Sequence, residues 1–169
     1  LNAAVFEQSF SKLTWKNNRL MFQIEDWSLH YEGTMSVDGQ TVVGTFIEGG
    51  FVKELTFKKL NYSQSNDAKT LVGDWQGYTL SKDSKSLKLI VHLTMEGKQL
   101  VATADSPDQG AFGMKIDSAA IEQGIFSFDV DKARVNYTGV VTEDAKTIYG
   151  IFTQQGDQFG LILKKTQRN

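Results

Sequence analysis

Residues 137–165 read YTGVVTEDAKTIYGIFTQQGDQFGLILKK, and residues 31–59 read YEGTMSVDGQTVVGTFIEGGFVKELTFKK. At a constant offset of 106, Tyr31 falls on Tyr137, Gly33 on Gly139, Asp38 on Asp144, Thr41 on Thr147 and Gly44 on Gly150. Phe46 falls on Phe152, Gly50 on Gly156, Leu55 on Leu161, and Lys58-Lys59 on Lys164-Lys165. Further upstream the match survives as a pattern, with Leu20, Phe22 and Ile24 over Phe126, Phe128 and Val130. The correspondence runs without a gap from 4–59 to 110–165, whereas 71–108 has no earlier copy. The chain is therefore a tandem of one whole repeat and the later part of another. It divides into a partial repeat over 1–60, a polar linker over 61–70 and a complete repeat over 71–169.

The repeated unit is written in a two-residue period. Leu87, Leu89, Val91, Leu93 and Met95 fall on one side of a strand, while Lys88, His92 and Thr94 fall on the other, with Ile90 out of pattern. Phe126, Phe128 and Val130 alternate with Ser127 and Asp129 in the same way. Turn signals such as Val37-Asp38-Gly39, Glu96-Gly97-Lys98, Glu122-Gln123-Gly124 and Gln155-Gly156-Asp157 recur every 8–12 residues, which is hairpin spacing. The complete repeat is predicted to hold eight strands, over 72–80, 86–95, 98–105, 115–122, 124–131, 134–142, 146–154 and 157–165. About eight strands suffice to close a barrel around side chains or one small guest. The expected fold is all-β: an eight-stranded antiparallel up-and-down, lipocalin-like barrel, with a partial second copy of about five strands over 9–16, 19–26, 28–36, 40–48 and 51–59. Five strands cannot close, so the partial repeat is expected to have open edges and to favour a homo-oligomer.

Composition narrows the function. With 169 residues, net charge −2 and acidic and basic residues interspersed, the chain has no nucleic-acid surface and no polybasic anchor. It has no cysteine, hence neither disulfides nor thiolate chemistry. No apolar run approaches the roughly 20 residues of a membrane helix. Leu1 is not a natural start residue, so a leader is expected to have been removed.

Gly73-Asp74-Trp75-Gln76-Gly77 opens the complete repeat. Trp75 is expected to plug one end of the barrel, with a basic residue of the last strand, Lys164 or its neighbour Lys165, across the indole. In Asp105-Ser106-Pro107-Asp108-Gln109-Gly110, Ser106 reads as an N-cap, Pro107 as the first helical position and Gln109 as the reciprocal partner of a capping box. The two carboxylates, Asp105 and Asp108, also suit a metal or acid/base pair. The structural reading of a single turn over the barrel mouth is preferred, and no metal site is assigned. If the barrel has a lumen, Val91, Phe126, Phe128, Phe152 and Leu161 line it and it favours a small apolar ligand.

Catalytic signals are weak. There is no Gly-x-Ser-x-Gly elbow. Neither His30 nor His92 has a ligand partner at metal spacing, and His92, on the polar side of its strand, reads as solvated. His30 is replaced by Asn136 in the second copy, a poor sign for a base. Arg134 and Tyr137, three apart, fall on opposite faces and do not form a carboxylate clamp. No catalytic residue and no cofactor is assigned. Asn61-Tyr62-Ser63 and Asn136-Tyr137-Thr138 match the glycosylation triplet, which chance also produces.

Taken together, Gly73–Gly77, the run Leu87–Leu93, Ala102–Gly110 and Tyr137-Thr138-Gly139 resemble a bacterial accessory domain that precedes the catalytic part of secreted serine hydrolases of the α/β-hydrolase and β-lactamase-like kinds. The resemblance covers 71–165, and 4–59 as a partial copy. It implies a lipocalin-like barrel, a periplasmic or secreted setting, and no catalytic residue within the domain. The expected function is a non-catalytic binding or interaction module. A carrier of an apolar ligand, and an enzyme (a serine-hydrolase fragment, or a barrel isomerase or cyclase), are the alternatives.

Overall fold

The structure, a computed structural model, describes residues 10–80 and 86–166. The chain is all-β, with two antiparallel sheets in two compact units.

The first unit carries β1 (Lys12–Lys16), β2 (Arg19–Ile24), β3 (Leu29–Met35), β4 (Thr41–Glu48) and β5 (Phe51–Lys58) as a five-stranded meander in chain order. Its inner face buries Phe22, Ile24, Leu29, Tyr31 and Val42. The phenol of Tyr31 stacks on Phe22 and meets Phe57 edge-on.

The second unit carries β6 (Gly73–Leu80), β7 (Lys88–Glu96), β8 (Gln99–Ser106), β9 (Ala111–Lys115), β10 (Ser118–Glu122), β11 (Ile125–Val130), β12 (Val135–Val141), β13 (Thr147–Gln154) and β14 (Asp157–Lys165). Its nine strands run in the order β10-β11-β12-β13-β14-β6-β7-β8-β9. The first and last strands of the repeat therefore pair, with Trp75 opposite Lys165 and Gln76 opposite Lys164. That pairing curls the meander into a lipocalin-like barrel and removes the edges of β6 and β14. The single stretch expected over 115–122 becomes two strands. Ile116 N–H donates to the Ala102 carbonyl on β8, while Asp117 N–H donates to the Asp129 carbonyl on β11. The chain thus crosses a seam between β8 and β10 at these two residues, and buried Ile116 seals it from inside.

The alternation places Leu89, Val91 and Leu93 (β7), Leu100, Ala102 and Ala104 (β8), Phe126, Phe128 and Val130 (β11), and Leu161 and Leu163 (β14) in one buried cluster.

The duplication is physical as well as sequential. Tyr137 donates to the carbonyls of Ile148 and Leu161, and Tyr31 donates to those of Val42 and Leu55, at the same offset. Opposed glycines, Gly139 and Gly150, make the slot for the phenol. A Cβ on Gly139 would lie 2.7 Å from the Tyr137 hydroxyl, and one on Gly150 2.6 Å from its Cζ. Turn geometry repeats too, with left-handed backbone at Asn17 and Gln123, Ser28 and Arg134, and Gly50 and Gly156.

Residues 61–70, polar enough to read as a linker, are hydrogen-bonded along the barrel. Ser63 N–H donates to Val141, Gly124 N–H donates to the Ser65 carbonyl, and the Asn66 side chain accepts from Gln123 N–H. A short 3-10 turn, Ala68–Leu71, follows, capped by the Asp67 carboxylate, and it buries Leu71 under the barrel.

Candidate functional site

One end of the barrel is built around Trp75. The indole is fully buried, and its Nε1–H donates to the Leu71 carbonyl at 2.8 Å. Lys165 spans the rim, with Nζ 5.5 Å from the ring centroid and donating to the Thr70 carbonyl at 2.8 Å. Partial burial depresses the Lys165 pKa. Of the two lysines that the sequence offered, Lys165 is the residue over the indole, and Lys164, the one named first as its partner in the plug, is exposed on the outer face. Strand parity is the reason: 161, 163 and 165 share the inner face and 164 points away.

The candidate lumen residues all face inward. Val91, Phe126 and Leu161 are packed within the core, while Phe128 and Phe152 reach a void at the opposite end. That void measures about 40 Å³ and is also lined by Thr79, Leu89, Ala104 and Gln109. Packed interiors leave few gaps larger than a water, and this one has room for little more than that.

The mouth turn forms as expected at Pro107–Gln109 and ends at left-handed Gly110. Its bonding departs from a capping box. Ser106, buried, donates its hydroxyl to the Gln109 side-chain oxygen at 2.9 Å and makes no side-chain bond to the turn's backbone. Asp108 accepts from Lys88 N–H at 2.7 Å, which ties the turn to β7. Asp105 accepts from Gly113 N–H at 2.7 Å and so fixes β9.

Asp105 also belongs to a cluster that the sequence reading missed. His92 is not simply solvated: Nδ1 lies 2.8 Å from an oxygen of Asp74, and Nε2 lies 3.2 Å from an oxygen of Asp105. The three side chains rise from adjacent strands β6, β7 and β8 on the outer face. The Asp74 hydrogen bond, helped by Asp105, raises the His92 pKa against the opposing effect of burial. The Gly113 amide, then His92, lowers that of Asp105. Each ring nitrogen faces one carboxylate, so the imidazole is clamped rather than poised. Among the described residues no group of three such side chains is arranged to hold a metal ion. His30 meets the Gln23 amide at 3.4 Å.

The remaining candidates separate. Arg134 is exposed at a left-handed position ahead of β12, whereas the Tyr137 hydroxyl is buried and already donates to two carbonyls. Burial raises the Tyr137 pKa, so the phenol stays neutral. Along the seam runs an open hollow of about 550 Å³, walled by Thr94, Thr103, Lys115, Asp117 and Ser118. Among the described residues no helix is long and apolar enough to cross a membrane.

No protein-family model matches the chain, and no curated protein matches it. Among solved structures, the chain is similar to a protein of unknown function of the DUF3598 family from Nostoc punctiforme PCC 73102, at 11% identity over 83% of this chain and 88% of that one, with a TM-score of 0.38. It is also similar to secretory abundant heat soluble protein 4 from Ramazzottius varieornatus, at 17% identity over 82% of this chain and 69% of that one, with a TM-score of 0.17. Both scores are low, and the architecture rests on the strand pairing described above.

Proposed function

We propose that this chain is a non-catalytic β-barrel module that works by surface interaction. The observation that carries this reading is the filled centre of the barrel. Trp75, Phe126, Phe128 and Tyr137 are buried against one another's neighbours where a carrier would keep a lumen. Ligand pockets usually measure about 300–1,000 Å³, far more than the mouth void. A hydrolytic role finds no support either, because both ring nitrogens of His92 are engaged by carboxylates and none is left for a serine hydroxyl. The likeness of Gly73–Gly77 and Asp105–Gly110 to an accessory domain of secreted serine hydrolases favours a bacterial envelope or extracellular setting, in service of a partner protein.

Displacement of a solvatochromic dye by fatty acids, run beside labelling with a fluorophosphonate, tests this reading. No saturable uptake and no labelled serine is the expected result. One-to-one uptake would restore the carrier, and inhibitor-sensitive labelling the enzyme.

A further inference from the structure

The first unit repeats β10–β14 of the second, and the sequence that forms β6–β8 has no earlier copy. We infer that its inner face is a docking surface for a three-strand segment of the same kind as Gly73–Ser106. This inference rests on the repeat and not on the filled barrel of the other unit.

What such a segment covers can be read residue by residue. In the complete repeat, Ile116 is 4% exposed and Leu163 is fully buried, while Ala119 and Ile121 pack against the core. Their counterparts in the first unit are Phe10, Phe57, Leu13 and Trp15, exposed by 50%, 37%, 59% and 50%. These four are inward residues by register or contact. Leu13 pairs with Phe22, Trp15 with Leu20 and Phe57 with Val42, and directly opposed residues share a face. Phe10 packs edge-on against Phe22 at 5.0 Å, and Phe57 lies 4.8 Å from Tyr31. The apolar face thus continues past the part the five strands bury and ends in large side chains at both edges, β1 and β5. In the complete repeat those edges belong to β10 and β14, which adjoin the seam and β6.

The charged rim is also retained. Lys58 and Lys59 repeat Lys164 and Lys165, and Lys165 is the cation over the Trp75 indole. Lys59 N–H donates to the Gln40 carbonyl as Lys165 N–H does to that of Lys146, so the backbone arrives in the same position. Lys59 is exposed and matches an indole delivered by a strand like β6. The docking surface therefore copies an interface this chain already builds between β14 and β6.

A second copy of the chain cannot supply this segment without loss. Each chain holds β6–β8 once, and exchange of these strands between two copies covers one face by uncovering another. The occupant is a segment of the three-strand kind from a further repeat, which adds to β5 by main-chain pairing and seats a tryptophan beneath Lys59.

The test supplies the segment. A further copy of residues 71–109 is fused directly ahead of Ala4, which reproduces the junction at 109–110, and hydrogen exchange of the β1 and β5 amides is followed by mass spectrometry. Edge amides of 51–58 are expected to exchange rapidly in the full chain, because β5 ends its sheet, and the fusion is expected to slow them on the order of 10-fold or more. It is also expected to reduce acrylamide access to Trp15. The same fusion with W75A in the added copy is expected to protect less. If the fusion is insoluble, a peptide of residues 71–115 titrated onto the full chain must slow the same amides saturably. Unchanged exchange in β5 with the segment supplied overturns the inference. So does concentration-dependent protection of β5 in the unfused chain with a light-scattering mass of two copies, because the occupant would then be a second copy.

Discussion

Replacing Trp75 with alanine removes the largest side chain that is fully buried in the second unit. Truncating a large aromatic in a core costs about 3–5 kcal/mol, and the spread depends on how far the site can collapse. Collapse is restricted here, because the indole is flanked by β7 through Val91 and by β14 through Lys165, both held in the strand ladder. The substitution also deletes the donor to the Leu71 carbonyl, which lies over the plug, and a buried acceptor left without its partner costs about 1–3 kcal/mol. The expected loss therefore lies at the upper end of the truncation range, a large share of the roughly 5–15 kcal/mol that stabilises a domain. Trp15→Ala is the internal control: that side chain is half exposed, and its loss is expected to cost about 1 kcal/mol or less. Native-state hydrogen exchange with peptide resolution separates the two units, which a single melting curve would blend. Trp75→Ala should lower the opening free energy of β12–β14 and leave β3–β4 unchanged. A loss below about 1 kcal/mol in β12–β14 would mean the indole plugs nothing, and the account of the closed end would fail.

Exchanging the two terminal lysines separates the inner from the outer face: Lys165→Ala should cost about 1 kcal/mol through the lost cation–π contact and the Thr70 bond, whereas Lys164→Ala should stay within about 0.5 kcal/mol. Equal effects in urea melts would contradict the parity assignment. His92 should give the second unit a pH-dependent increment. Its pKa is raised above the ordinary 6.5, so its contribution is complete below that value and fades as pH climbs through the raised one. Asp105 is lowered from 3.8, so its contribution is complete above that value and fades as pH falls through the lowered one. The stability difference between the native chain and His92→Gln should therefore be largest between pH 4 and 6.5, on the order of 1 kcal/mol for partly exposed pairs, and shrink toward pH 9. A difference that does not change from pH 5 to 9 would refute the clamp.

What the sequence revealed and what it withheld divides along one physical line, the reach of local rules. A two-residue period fixes which side chains share a face, so Val91, Phe126, Phe128 and Leu161 could be placed inside before any coordinate was known. The same rule, carried four residues beyond Leu161, already places Lys165 inside and Lys164 outside. The duplication went further than pattern. The repeated Tyr-x-Gly and the glycine 13 residues after the tyrosine mark the phenol slot, where opposed glycines admit the ring and the hydroxyl reaches two neighbouring strands.

Register is where local rules stop, and the two halves of the His92 clamp show the limit. The turn at Gly97-Lys98 sets Glu96 opposite Gln99, and counting back sets His92 opposite Thr103 with Asp105 on the adjoining diagonal. That half was legible. Asp74 reaches His92 only because β6 and β7 pair with Asp74 directly opposite His92, and the seven residues of sequence between those strands are too many for the count to be read from them. The seam was hidden for the same reason. Nothing in Ser118–Glu122 says that its outer edge stays apart from β8, because the decision is made by Ile116 and Asp117 donating to opposite walls. Hairpins joined by short turns carry their register in the chain, whereas pairings across longer connections are settled by the closure of the whole barrel.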